Sequence, residues 1–429
     1  MWMHPDYVYA GSECELVMPV RLDQLRAHAQ RPALPDLKLW LAMLALLLAC
    51  GSGVAVLLES RQSSPEPLWF WGAALWAPVL IWCALGFLRM VVFVSQQSVA
   101  EGWNGAREQD LIQMTLRGRR SHQVLAVSLH TALRESAAPA EKQLDALLDG
   151  QIALNAQALW SGAIARHSQL PRDTSDSAES VLAQVLKRVL ADLAPTLSGL
   201  PTDRPVALSL SITAALPDEA LRRIWADALT ASGIGQSLTP VEGTGLPVVD
   251  ARLDERADDQ SLLMVVAVQL SPQQSIGEAE SAIGLLLGHC TTQNAVLAIA
   301  CLHRPEQECE PSLERLLYAL RQAMDWVPLA ADSIERIWQA GVDTQRQGDI
   351  ASTLGEVPIS SIQNTKLCDL DQLLGHPGDV APWLAIAAAT LAVQRSELPQ
   401  LVLSEGGSVD AGIWCTVLTH RVPLHRKET

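Results

Sequence analysis

Residues 371–391, DQLLGHPGDVAPWLAIAAATL, set a Gly-His-Pro-Gly turn directly ahead of an alanine-rich helix. Glycines at a helix mouth let backbone N–H groups close on an anion such as phosphate. His376, between them, is a side chain able to exchange a proton near neutrality. The surrounding sequence extends neither reading: there is no GxGxxG after a strand, no phosphate-loop lysine followed by Ser or Thr, and no GxSxG elbow. His376 therefore reads as a turn residue. His289 and Cys290 are adjacent, which on a strand points them to opposite faces, so they do not read as a base–nucleophile pair. Asp369 and Asp371 have the placement of residues that approach and cap the next helix.

The remaining chemistry is bounded by composition. Cys14, Cys50, Cys83, Cys290, Cys301, Cys309, Cys368 and Cys415 form no CxxC pair and no Cys/His cluster. Neither a disulfide framework nor a structural metal is expected, and no motif calls for a cofactor. A net charge of −16 argues against nucleic acid as a partner, because phosphate contacts need clustered Lys and Arg. The one basic run, RGRRSH at 117–122, reads as a juxtamembrane signal or lipid-headgroup contact.

The elements that must carry these residues fall into two parts. Residues 39–58 and 68–88 are uncharged and apolar, each long enough at about 1.5 Å per residue to cross a hydrocarbon core of about 30 Å. Pro78 is expected to kink the second span. Arg21, Arg26, Arg31 and Lys38 precede the first span, and Arg89, Arg107, Arg117, Arg119 and Arg120 follow the second, whereas the link between carries only Arg61. Both termini are therefore expected to be cytoplasmic. The expected organisation is a tail (1–38), a two-helix hairpin (39–94), a connector (95–120) and a domain (121–425).

Within that domain short apolar runs alternate with amphipathic ones. Strands are expected at 124–129, 205–212, 295–302 and 412–420, and helices at 141–160, 178–193, 217–233 and 312–324, with a polar linker at 166–180. VVDARLD and SLLMVVAVQL read as an adjacent strand pair. The alternation predicts an α/β class with buried sheets. All three phenylalanines lie in or beside the second span, so Leu, Val, Ile and Ala must pack the domain core.

The order of features in the last third is more specific. Gly348-Asp349, then Leu373-Leu374-Gly375 and the alanine-rich helix, resembles the C-terminal half of the thiolase-like condensing enzymes, in particular the β-ketoacyl synthases. There a histidine-headed glycine-threonine motif ends in Gly-Asp, and a second histidine precedes Leu-Leu-Gly. The expected fold class is thus α/β, the two N-terminal transmembrane helices being followed by what the resemblance implies, a thiolase-like layered α/β domain. It places Gly341 at the first histidine position, Gln372 at the second and Leu367 near the family's lysine, and no cysteine occurs between Cys83 and Cys290 to supply the nucleophile. Glycine has no side chain and glutamine does not titrate, so the resemblance implies no catalytic set: a pseudoenzyme and not an enzyme. The expected role is that of a binding adaptor in a bacterial inner membrane, similar to accessory proteins of type VI secretion that recruit an effector or spike component. The alternative under the same resemblance is acyl-chain metabolism, as a partner subunit or a divergent β-ketoacyl synthase-like enzyme. Pairing with a second copy, or with a related thiolase-like protein, is implied either way.

Overall fold

A computed structural model of the chain describes residues 20, 22, 25–34, 36–59, 68–135, 140–160, 162–173, 175–254, 261–270, 277–289, 296–327, 333–357, 366–405 and 412–420. They divide into two compact units, residues 21–114 and residues 115–429 with 1–20.

The first unit is built on α1 (Leu37–Glu59) and α2 (Leu68–Gly118). Both are long and apolar enough to cross a membrane, each with a window of mean hydropathy 2.2. Trp82 Nε1 donates to the Trp40 carbonyl at 3.0 Å, and the two rings meet edge to face at 6.5 Å. Helix α2 continues through Pro78 and through most of the connector, for 51 residues in all. The tail ahead of α1 lies along this extension. Ala29 N donates to Asn104 Oδ1 at 3.0 Å, Arg107 Nε to the Arg26 carbonyl at 2.6 Å, and Trp103 Nε1 to the Ala27 carbonyl at 3.2 Å.

The second unit is an α/β domain. Its first half comprises β1 (Ser121–His130), α3 (Ala140–Leu148), β2 (Asn155–Ala158), β3 (Ile164–His167), α4 (Ala178–Ser198), β4 (Val206–Ala214), α5 (Asp218–Ser232), β5 (Leu238–Pro240), α6 (Leu246–Asp254), β6 (Leu262–Leu270) and β7 (Ser281–Gly288). Its second half comprises β8 (Ala300–His303), β9 (Glu306–Gln307), α7 (Leu313–Asp325), β10 (Arg336–Ala340), α8 (Gln347–Glu356), β11 (Lys366–Asp369), α9 (Leu370–Leu374), α10 (Ala381–Ser396), β12 (Gln400–Glu405) and β13 (Ile413–Thr419). The large sheet runs β5-β4-β6-β7-β1-β8-β13-β12-β10-β11, with β9 on β13; β2 and β3 pair separately.

The two halves repeat one design. In each, three strands run parallel (β5, β4, β6; β11, β10, β12), followed by two antiparallel pairings, β6–β7–β1 and β12–β13–β8. Parallel neighbours need helical crossovers, which α5, α6, α8 and α10 supply. Strands covered on both faces become continuous apolar runs, as in β6 and β7, where every residue is buried. Leu286 packs with α4 and α5, while Leu285 and Leu287 pack with α6 and α10 on the opposite face. Leu401 and Leu403 likewise face α7 and α8, and Val402 faces α10. Helix α10 is buried over nearly its whole length, which its alanines permit by allowing close approach from several sides.

Several expectations are borne out: helices form over most of 178–193, 217–233 and 312–324, where Ser177 accepts from Ser180 N to start α4, Gly233 (φ +70°) ends α5, and Ser312 accepts from Arg315 N at the start of α7. Others are corrected. VVDARLD is helix α6, whose Leu246, Val249 and Leu253 fall on one buried face at helical spacing, so it pairs with no strand. The helix expected at 141–160 stops at Leu148, before Gly150 (φ +72°), and the chain then enters β2. The linker at 166–180 begins in β3. Cys309 is disulfide-bonded, to a partner outside the described residues, against the expectation of no disulfide. The core is aliphatic as expected, with Trp326, Trp338, Trp383 and Trp414 buried in it as well.

Candidate functional site

Strands β10, β11 and β12 are parallel, so their carboxyl ends emerge together, at Ala340, Asp369 and Glu405. In open parallel sheets ligands bind at that end. A cleft of about 600 Å³ opens there, lined by Gly341, Asp371, Gln372, His376 and Glu405 and by the turn 342–347. The two positions located by sequence landmarks, Gly341 and Gln372, thus line the same cleft, with His376 at its exposed rim.

Each wall has a local cause. Asp369 Oδ1 accepts from the backbone N of Asp371 (3.0 Å) and of Gln372 (3.2 Å), capping α9. Asp371, freed from that task, reaches the end of β10, where Oδ1 accepts from Gly341 N at 2.9 Å and Oδ2 from Val342 N at 3.0 Å. Glu405 Oε2 accepts from Asp343 N at 3.2 Å. Arg346 is held by Glu308 at 2.6 Å and Asp349 at 3.3 Å. His376 Nδ1 accepts from Gly378 N at 3.0 Å.

Gly341 has φ +70°, and a Cβ there would sit 2.5 Å from Ala381 Cβ. A histidine at this position has no room. The carboxyl of Asp371 occupies the space between the two landmark positions. Burial pushes it up to about 7; Asp369 and Glu405 act in the same sense, and the N–H groups of Gly341 and Val342 act against it. The cleft therefore contains a group that exchanges a proton near neutrality, as acid–base chemistry requires.

Asp371 is the residue that sequence reasoning missed. It was expected to cap the helix, a task that Asp369 performs alone. The signal available was its place directly before Gln372. Of the other candidates, Leu367 is half-exposed on β11 and does not line the cleft, and Cys290 lies outside the described residues. A second cavity, about 750 Å³, lies beside β1 between α3, α4 and α10. There Asp192 accepts from Ser128 Oγ at 2.7 Å, but none of the landmark positions reaches it.

No family model matches the chain, and no curated protein does. Solved structures do. A ketosynthase–chain length factor protein, PfaC, superposes with a TM-score of 0.50 at 12% identity, covering 71% of this chain and 43% of that one. The fold is thiolase-like. This chain spans less than half the length of PfaC. A ketosynthase domain from a Streptomyces albus oxazolomycin protein has a TM-score of 0.47 at 14% identity, covering 70% of this chain and 96% of that one. The human mitochondrial 3-ketoacyl-CoA thiolase has 0.44 at 9%, covering 71% and 99%. The expectation that the chain is not an enzyme is corrected here: PfaC, whose fold it shares, is named for a ketosynthase with a chain length factor. Asp371 also places a proton-exchanging group in the cleft beside Gly341 and Gln372.

Proposed function

We propose that this chain is a membrane-associated protein of acyl-chain metabolism, a divergent ketosynthase-like enzyme or the partner subunit of one, that holds an acyl thioester in the cleft between residues 341 and 376. The observation that carries the reading is the convergence of Gly341, Gln372 and Asp371 on one cleft at the carboxyl ends of three parallel strands. Asp371 is the proton donor or acceptor for the thioester oxygen or its neighbouring carbon. PfaC, which carries a ketosynthase with a chain length factor, supports a second thiolase-like protein as the partner. The two apolar helices support placement at a membrane, with both termini in the cytoplasm.

The test is binding and turnover by the full chain in detergent micelles, with acyl N-acetylcysteamine thioesters and acyl-carrier protein as substrates. Saturable binding that Asp371→Asn alters is expected. Absence of binding to any acyl thioester, alone or with a co-expressed thiolase-like subunit, overturns the proposal.

A further inference from the structure

We infer that the cleft selects acyl groups that are electrically neutral and turns away those that end in a carboxylate. This rests on the acyl-thioester reading above and names the substrate class for it.

The charges facing the cleft carry the inference. Asp343, Asp371 and Glu405 line it from the ends of β10, β11 and β12, and Asp369 stands behind Asp371. Among the described residues Arg346 is the one Lys or Arg side chain in the lining, and it is ion-paired with the nearly fully buried Glu308 at 2.6 Å and with Asp349 at 3.3 Å. The guanidinium is thus already neutralised by protein carboxylates. His376 stands at the exposed rim, with its Nδ1 accepting from Gly378 N at 3.0 Å. The rest of the polar lining, Thr344, Gln345, Gln347 and Gln372, is neutral. Among the described residues an incoming carboxylate meets acceptors of its own sign and a cation already paired with two carboxylates. A carbonyl or amide meets amide donors.

The lining also makes the discrimination depend on pH. Asp371 titrates at about 7, with burial as the main cause. Below that value it becomes a hydrogen-bond donor, and a carboxylate ligand loses one repulsive neighbour. Asp369 behind it and Glu405 at the end of β12 act on it directly, and Asp343, Arg346 and His376 are the other titratable or charged side chains of the lining among the described residues.

The experiment is calorimetric titration of the full chain in detergent with a size-matched pair, butyryl and malonyl N-acetylcysteamine. At pH 8 butyryl is expected to bind at least tenfold more tightly, and the ratio should shrink at pH 6. Glu405→Gln should shrink the ratio at pH 8. The pH comparison on the unaltered chain stands alone if that variant misfolds. Malonyl binding equal to or tighter than butyryl at pH 8 overturns the selectivity while leaving the acyl reading intact. If neither thioester binds, the acyl reading falls and the selectivity falls with it.

Discussion

At the scale of residues, the cleft turns on the contact between Asp371 and the backbone of Gly341 and Val342. Gly341→Ala should cost about 1–3 kcal/mol, since it adds a Cβ 2.5 Å from Ala381 and strains a residue at φ +70°. Urea unfolding in detergent reads this directly, and an unchanged midpoint would contradict the packing at this corner. Asp371 gives a prediction with a sign. In the fold its carboxyl keeps a proton up to about 7, whereas its ordinary value is 3.8. Between those values the folded state binds more protons than the unfolded state. The contribution of Asp371 is therefore most favourable at low pH and is lost as pH rises through about 7. The stability of the unaltered chain relative to Asp371→Asn should fall from pH 4 to pH 8. The amide resonances of Gly341 and Val342 should move with a midpoint near 7 and stay still in the variant.

At the scale of elements, helix α6 is secured to the segment after β8 by a buried ionic cluster. Arg304, 1% exposed, donates to Asp250 at 2.8 Å and to Asp254 at 2.8 Å. Removing it leaves two carboxylates without their main partner, so Arg304→Ala should cost about 3–5 kcal/mol near pH 8. Burial already pushes Asp250 up to about 6. The loss should be smaller at pH 5, where Asp250 takes up a proton, and a pH-independent loss would show that packing dominates. Helix α6 also marks the limit of what could be read from the sequence. Helices α4, α5 and α7 were legible because Ser177, Gly233 and Ser312 cap long amphipathic patterns. Helix α6 has only nine residues with two adjacent valines, a composition that strand and helix share. The doubled sheet was not legible, because its pairings, such as β1 with β7 and β8, join residues far apart in the chain. The cleft was half legible: two positions were placed by motif, but Asp371 acquires its role only when β11 lies beside β10.

At the scale of the whole molecule, the proposed two-crossing topology makes a prediction through where the tail lies. Residues 26–29 precede the first apolar helix, and Trp103, Asn104 and Arg107 follow the apolar part of α2, yet they are hydrogen-bonded to one another. Helix α1 and the start of α2 are each long and apolar enough to cross a membrane, and a hairpin in which both cross keeps these touching segments on one side. The basic residues give the proposal its orientation, with both termini in the cytoplasm. Arg26, Arg31 and Arg107 belong to the touching segments, while the short link at 60–67 carries Arg61 alone. A phosphatase that works only outside the cytoplasm should therefore be silent when fused after residue 429 and active when inserted at 62–65. A fluorescent protein that folds only in the cytoplasm should report the reverse. Activity of the exported reporter at residue 429 would mean an odd number of crossings, which the bonds from Ala29 to Asn104 and from Arg107 to Arg26 do not permit while they are intact. Disrupting them with Asn104→Ala and Trp103→Ala should leave the topology unchanged, because the charge asymmetry remains, and should loosen only the tail, seen as faster proteolysis near residues 26–31.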